Sequence, residues 1–361
     1  MYIYAETVRD EVVVWERTEK GREVKYFQAP WYFYAPDEEG EFESIYGERL
    51  AKYTFKSRKE FNAERNSMLA SGISLYESDI PPELKILSCK YYGAKTPNLN
   101  VTFFDIEVDF DEKIGFSSTK NPYAPINSIA LYHMFQNEYV LITVPPEPGW
   151  TEARLRDELK ELPALFGTDP KFTILICRDE RELLLNFLEE IENSDVISGY
   201  NNEFFDDPMI GKRIEITLGE KYLRRLSFKG AREPRWTEVE RMGNTDIGLD
   251  IYGRISADYL KLIKKYEVVE RQSYKLESVA EDKLPNLPKL KYKGNLSRLY
   301  RENYAFFCRY NLRDTEILYG FESKMRYIAL ANEMYHMSTG LFPGVFTTLR
   351  LSDLSIINHC H

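Results

Sequence analysis

Cysteine and histidine are scarce in this 361-residue chain, with four of each. Cys89, Cys177, Cys308 and Cys360 are scattered and form no CxxC, which excludes a disulfide framework and a zinc knuckle. No apolar run approaches the roughly 18 residues that a membrane-crossing helix needs, so no membrane partner is expected. The opening stretch MYIYAETVRDEVVVWERTEKG reads as a strand pair with a charged turn. It has neither the basic start nor the small-residue cleavage site of a signal peptide, and a reducing cytoplasm is the expected location. Internal repeats and low-complexity tracts are absent as well. What remains is a composition 43% hydrophobic and 29% charged, long enough for two domains with cores of their own.

The formal charge of −10 argues against a generic nucleic-acid coat, but the charge is unevenly spread. PDEEGEFESIYGE, 36–48, has six acids and no Lys or Arg, whereas KLPNLPKLKYKGNLSRLYR, 283–301, has six Lys/Arg and no acids. Between 212 and 235 stand eight Lys/Arg against three Glu. The second half therefore carries basic stripes, which fit either solvated faces or a polyanion surface.

The first hundred residues are rich in Tyr and Phe and in short alternating segments, with a helix near SRKEFNAERNSMLASG. This is the pattern of a small α+β domain, 1–99, to which the terminal 331–361 is joined. Pro81–Pro82 and the turn GAKTPNLN mark its boundary. Residues 100–330 then read as three successive strands (VTFFDIEVDF, INSIALYHMF, YVLITV), a strand KFTILIC, a helix DERELLLNFLEEIENS and a short buried strand DVISGY. A helix opens at DDPMIGKRIEITL with Asp207 at the N-cap and Pro208 first in the helix. Turn signals between 228 and 256 suggest a protruding hairpin, with GNTDIGLD, 243–250, as loop. DYLKLIKKYEV is a strand or a short helix, YKLESVAEDKL begins a helix, PNLPKLKYKGN is a basic loop, and 296–335 is one long helical stretch. This order predicts an α/β class, a mixed sheet with helices on its faces.

Three features stand out for chemistry. In TFFDIEVDF, Phe104, Ile106, Val108 and Phe110 alternate with Phe103, Asp105, Glu107 and Asp109. One strand face is apolar and the other carries carboxylates in line. Asp105 and Glu107 project together, and like charges that close raise each other's pKa unless a cation lies between them. On the long helix, Phe306, Phe307, Tyr310, Ile317 and Phe321 form a packed stripe, and Asp314 falls on it four residues after Tyr310. A buried carboxylate is costly unless paired or metal-bound. Lastly, GYNNEFFDDP, 199–208, lies between a buried strand and a helix start, where active-site loops of α/β sheets gather. Taken singly, each has a plainer reading: a solvated strand face, a core Tyr beside a water-facing Asp, a helix cap. Together they give four acids in the order DxE, NxxxFD, YxxxD.

These residues resemble the three exonuclease motifs of family B DNA polymerases: DIE at Asp105–Glu107, YNNEFFD at Tyr200–Asp206, and YNLRD at Tyr310–Asp314. DYLKLIKKY and YKLESVA, 258–280, SIYGE near residue 44 and FPGV near 342 resemble segments of the T-even-type phage members. The resemblance thus covers essentially the whole chain and implies a ribonuclease-H-like exonuclease domain behind an N-terminal domain. It implies that Asp105, Glu107, Asp206 and Asp314 hold two divalent ions and that Tyr310 orients the attacking water. Hard oxygen ligands favour Mg²⁺ or Mn²⁺. The implied substrate is the 3′ end of single-stranded DNA, within primer–template DNA. Asn201, with Asn202 as a rival, would contact the strand. Arg232, Arg235 and Trp236 in a 229–254 hairpin would touch DNA by charge and stacking. Phe116 is either a wedge against bases or a core residue. Asp109 is expected to be exposed and Asp207 a helix cap.

The palm, finger and YGDTD motifs of a polymerase do not occur in these residues. The expectation is a fragment, or one subunit of a split polymerase whose other half (palm, fingers, thumb) links it to a replisome. A non-catalytic subunit that completes the holoenzyme and guides template is the alternative. The pair His359 and His361 around Cys360 is read as terminus rather than as a metal site.

Overall fold

The computed structural model describes residues 1–147, 149–166, 169–241 and 244–360. The chain divides into two compact units, residues 1–98 with 331–361, and residues 99–330.

The first unit begins with strands β1 (Tyr2–Val8), β2 (Glu11–Thr18) and β3 (Gly21–Gln28), an antiparallel meander. β4 (Trp31–Pro36), β5 (Phe42–Glu43) and β6 (Arg49–Phe55) form a second antiparallel sheet in the order β4-β6-β5. Helix α1 (Arg58–Ala70) follows, its first turn capped by the Ser57 hydroxyl accepting from the Glu60 amide. Helix α2 (Pro82–Tyr91) has Pro82 in its first turn. The diproline that reads as punctuation therefore starts a helix, because a first-turn proline gives up no hydrogen bond. Tyr2, Trp15 and Phe33 are fully buried in this unit.

The second unit is built on β7 (Val101–Val108), the small hairpin β8 (Phe110–Asp111) and β9 (Gly115–Phe116), β10 (Ile126–His133) and β11 (Glu138–Thr143). Then come α3 (Glu152–Leu159), β12 (Lys171–Ile176), α4 (Glu180–Glu190), β13 (Val196–Gly199) and α5 (Asp206–Thr217). The hairpin β14 (Arg235–Arg241) and β15 (Asn244–Asp250) precedes β16 (Ile255–Asp258). The remaining helices are α6 (Tyr259–Tyr266), α7 (Leu276–Lys283), α8 (Leu296–Glu302), α9 (Tyr304–Met325), α10 (Tyr327–Met337) and α11 (Thr348–Cys360). Residues 331–361 of the last two belong to the first unit.

The central sheet has the order β12-β11-β10-β7-β13-β16. It is mixed: β10 is antiparallel to both β7 and β11, while the β11–β12, β7–β13 and β13–β16 pairs are parallel. Phe104 and Ile106 of β7 pack in a core with Leu183, Phe187 and Leu188 of α4 and Met209 and Ile214 of α5. The alternate face carries Phe103, Asp105 and Glu107, and there α9 crosses, with Thr315 donating to the Ala130 carbonyl and Asn311 to Asp105. β7 is thus covered on both faces, and its carboxylates are placed inside the unit.

Three expectations are corrected. The 296–335 stretch is three helices, broken at Asn303 and at Arg326, whose backbone is left-handed with φ 55°. Residues 244–250 form a strand rather than a loop, paired along its length with β14; the hairpin tip, 242–243, lies outside the described residues. Helix α5 starts at Asp206, so Asp207 sits within its first turn and does not cap it. His361 also lies outside the described residues.

Candidate active site

Asp105 and Glu107 stand on β7, the second strand in from β16, with Asp105 opposite Ala130 of β10. Asp314 comes from the middle of α9 and is buried there. Oxygens of Asp105, Glu107 and Asp314 all lie within 4.8 Å of one another. Asp206, at the start of α5, is buried too and close enough to Asp105 to repel it. The four acids of the sequence pattern therefore share one electrostatic environment, supplied by a strand, a helix start and a helix middle.

That environment is hostile to negative charge. Burial, then the charge of Asp314, pushes the Asp105 carboxyl up to about 8. Burial and the neighbours Asp105 and Asp314 hold Glu107 well above the usual carboxylate range. Burial, Asp105 and Asp207 do the same to Asp206. Asp314 is raised by burial and pulled back by Lys289. Like charges brought together in a low dielectric suppress one another's ionisation.

Two side chains that the sequence reading did not single out organise the cluster. Asn311 donates to the Asp105 carboxylate at 2.8 Å and to its carbonyl at 3.1 Å, while its own oxygen accepts from Ser128 at 2.7 Å. The Asp105 rotamer is thereby fixed from α9 and β10 at once. Lys289, from the loop between α7 and α8, donates to Asp314 and lies 4.9 Å from the centre of the Tyr310 ring. Burial opposes its charge, but Asp314, Tyr310 and Asp105 hold it above an ordinary lysine. Asn311 sits inside the YNLRD motif and was open to notice. Lys289 lies 25 residues before its partner in a run of lysines, and spacing carries no signal for it.

Tyr310 is half-buried, one edge against Tyr292 with ring centres 5.2 Å apart. Burial raises its phenol, which keeps its proton. In the 199–208 loop the two asparagines divide. Asn202 is fully buried and locked, donating to Asp207 and to Ser256 at 2.9 Å each and accepting from the Gly199 amide at 3.2 Å. A side chain on Gly199 would meet Asn202 at 2.8 Å, so this turn needs glycine. Asn201 is half-buried with φ 65°. Asp207 accepts from Ser256 at 2.5 Å as well as from Asn202, and burial raises it to about 7. Its carboxylate is spent on tying the loop to β16, which is why it is no cap.

The outlying candidates lie elsewhere. Phe116 is 83% exposed and stacks on Phe110 at 4.7 Å, which removes the core alternative. Arg232 and Arg235 are exposed beside and on β14, Arg232 over the Tyr252 ring at 4.4 Å. Trp236 is half-buried. Its indole N–H donates to Glu215 at 2.6 Å, Lys212 lies over the ring at 3.7 Å, and the ring fills the space that a Cβ on Gly211 would take. It fastens the hairpin to α5. Asp109, expected to be exposed, is half-buried and paired with Arg301 of α8 at 2.9 Å.

The residues present fit a hard divalent cation. The donor set is all carboxylate oxygen, and Asp314 Oδ1 is buried with no hydrogen-bond partner among the described residues. The Lys289 ammonium offsets the charge of three of the acids, Asp314, Asp105 and Glu107.

A mixed sheet that gathers carboxylates from its central strand and from flanking helices is the architecture of a ribonuclease-H-like exonuclease domain. Residues 62–279 match the DNA polymerase family B exonuclease domain, and the chain belongs to that family. It is 26% identical over 355 residues to the DNA-directed DNA polymerase of Escherichia phage RB69, covering 94% of this chain and 38% of that protein. It is likewise 26% identical over 376 residues to the DNA-directed DNA polymerase of Enterobacteria phage T4, covering 99% of this chain and 40% of that protein. The chain spans about two-fifths of the length of these relatives. The family and fold class read from the motifs are borne out.

Proposed function

We propose that this chain is a metal-dependent 3′→5′ exonuclease, the proofreading part of a phage-type family B DNA polymerase, removing 3′-terminal nucleotides from single-stranded DNA. Residues 99–330 are its exonuclease domain. The reading is carried by the convergence of Asp105, Glu107 and Asp314, with oxygens within 4.8 Å, in a family whose model spans most of that unit.

Asp105, Glu107, Asp206 and Asp314 are the ligands of two divalent ions, Mg²⁺ or Mn²⁺. When bound, such ions generate the attacking hydroxide and stabilise the leaving 3′-oxygen. The protein's own part is geometric and electrostatic. Asn311 holds Asp105 in one orientation, so the first ligand is preorganised. Tyr310, protonated, offers a hydrogen bond that orients the water. Lys289, which donates to Asp314, brings to the site a positive charge that would stabilise the scissile phosphate. Asn201 contacts the strand near its end, Phe116 offers an exposed ring to a base, and Arg232 and Arg235 add charge along primer–template DNA. The polymerase half, in the same or a separate chain, is the proposed partner that connects it to a replisome.

The test is direct. DNA labelled at its 5′ end should shorten from its 3′ end in Mg²⁺, and Asp105→Ala with Glu107→Ala should abolish this. No shortening by the unmutated chain in Mg²⁺ or Mn²⁺ sinks the enzymatic reading. Nucleotide incorporation on a primed template is not expected from these residues.

A further inference from the structure

Asn201 holds a left-handed backbone, φ 65°, in the loop that ends at Asp206. Asparagine enters this region more readily than most residues with a side chain, and here a hydrogen bond at its amide holds it. The constraint has a visible source. The Asn201 amide donates to Asp258 Oδ1 at 2.9 Å, and the same oxygen accepts from the Leu260 amide at 2.9 Å, capping α6. Asp258 ends β16 and lies opposite Gly199 of β13 in the sheet register, so the acceptor is anchored on two regular elements.

A carboxylate is a poor choice for the cap alone. Asp258 is only 4% exposed, and its Oδ2 has no hydrogen-bond partner among the described residues. Glu203 stands near enough to oppose its ionisation. Serine or threonine would cap α6 without a buried orphan oxygen. A hydroxyl sits one bond closer to the backbone, so a serine here is expected to keep the Leu260 amide and lose the Asn201 amide. The carboxylate's reach is what joins the helix to the loop. Asn202 is fixed by its own three hydrogen bonds. The neighbouring Asn201, whose side chain is proposed to meet DNA, is held at its carbonyl by the Phe204 amide at 3.2 Å and at its amide by Asp258, the one side chain of the pair of contacts.

We propose that Asp258 is a positioning residue of the exonuclease centre, acting through the Asn201 amide to set the Asn201 side chain against the DNA strand. This rests on the exonuclease reading above.

The test compares Asp258→Ser, Asp258→Asn, Asn201→Gly and the double variant Asp258→Ser/Asn201→Gly. Each is assayed for kcat and KM on oligo(dT) with Mg²⁺, for thermal stability, and for oligo(dT) binding in EDTA. Asp258→Ser keeps the α6 cap and a near-native Tm but loses about 10–100-fold in kcat/KM, the scale expected of a small misplacement. Asp258→Asn, which keeps the accepting oxygen, retains the native kcat/KM. Glycine adopts the left-handed backbone unaided, so adding Asp258→Ser to Asn201→Gly costs nothing further. Additive losses in the double variant overturn the proposal, as does a native kcat/KM for a folded Asp258→Ser. A large loss in Asp258→Asn at native Tm overturns it too, whether or not the serine variant folds. If the unmutated chain degrades nothing, the exonuclease reading fails, and binding in EDTA decides on Asp258: weaker for serine and native for asparagine supports it, equal binding by all three overturns it.

Discussion

A buried cation in the first unit and a buried acid cluster in the second meet their surroundings in opposite ways. In residues 1–98 with 331–361, Lys85 is buried among groups that answer its charge in part: its ammonium donates to the Tyr32 carbonyl at 2.6 Å and lies 3.7 Å from the centre of the Tyr32 ring. His336, also buried, faces the carbonyls of Asn332 and Tyr2 at 2.8 Å each. In residues 99–330, Asp105, Glu107, Asp206 and Asp314 face one another, and Asp314 keeps an oxygen with no hydrogen-bond partner among the described residues. Buried polar groups that find hydrogen-bond acceptors tie segments together. Crowded, unmatched buried charge costs stability and is retained where a ligand answers it.

The largest test of this contrast is catalytic. Asp105→Ala with Glu107→Ala should lower the rate of 3′ shortening by ~10³-fold or more, the several kcal/mol that bound metal supplies. Lys85→Met should leave that rate unchanged. A loss on Lys85→Met would break the division between the units.

Next in size is the response to metal. Mg²⁺ at 100 times its Kd should stabilise the unmutated protein by about 2.7 kcal/mol in denaturant titrations, and the double alanine variant by nothing. Equal stabilisation of both would mean that the carboxylates do not bind the ion.

Trp236→Ala should cost about 2 kcal/mol, through lost packing on Gly211 and the lost bond to Glu215. Urea titration measures it. Neutral behaviour would show that the hairpin is not held there.

The smallest effect is a pH dependence in the first unit. Burial lowers Lys85 to about 8. The unfolded lysine titrates near about 10.4, so between these values the folded chain carries fewer protons. The penalty for burying the charge is full below pH ~8 and is relieved as pH rises toward ~10.4. Stability should therefore rise across that window by on the order of 1–2 kcal/mol relative to Lys85→Met. A flat difference between the two proteins would remove the burial argument.

Much of the second unit is legible because its signals are local. The alternation in TFFDIEVDF fixes which residues share a strand face, and the four-residue step from Tyr310 to Asp314 fixes a helix face. The N-terminus of α4 at Asp179 follows from its capping chemistry. The errors come where local chemistry was ambiguous and distant partners decided. Asp207 beside Pro208 has the form of a cap, yet Asn202 and Ser256 claim its carboxylate. Asp109 reads as solvent-facing until Arg301, 192 residues on, meets it. The anchoring of Trp236 by Gly211, Lys212 and Glu215 of α5 likewise carries no local signal.

By itself the sequence determined the residue types, their order along the chain and the face on which each carboxylate projects, because backbone periodicity sets direction within one element. Only the tertiary structure decided which faces meet. Packing α9 across β7 brings Asp314 to Asp105 and Glu107, and the loop after α7 adds Lys289. Turning the 199–208 loop onto β16 buries Asn202 and leaves Asn201 held at its amide by Asp258. Those contacts join residues tens to hundreds of positions apart, where spacing carries no information and only the burial of both sheet faces selects the partners.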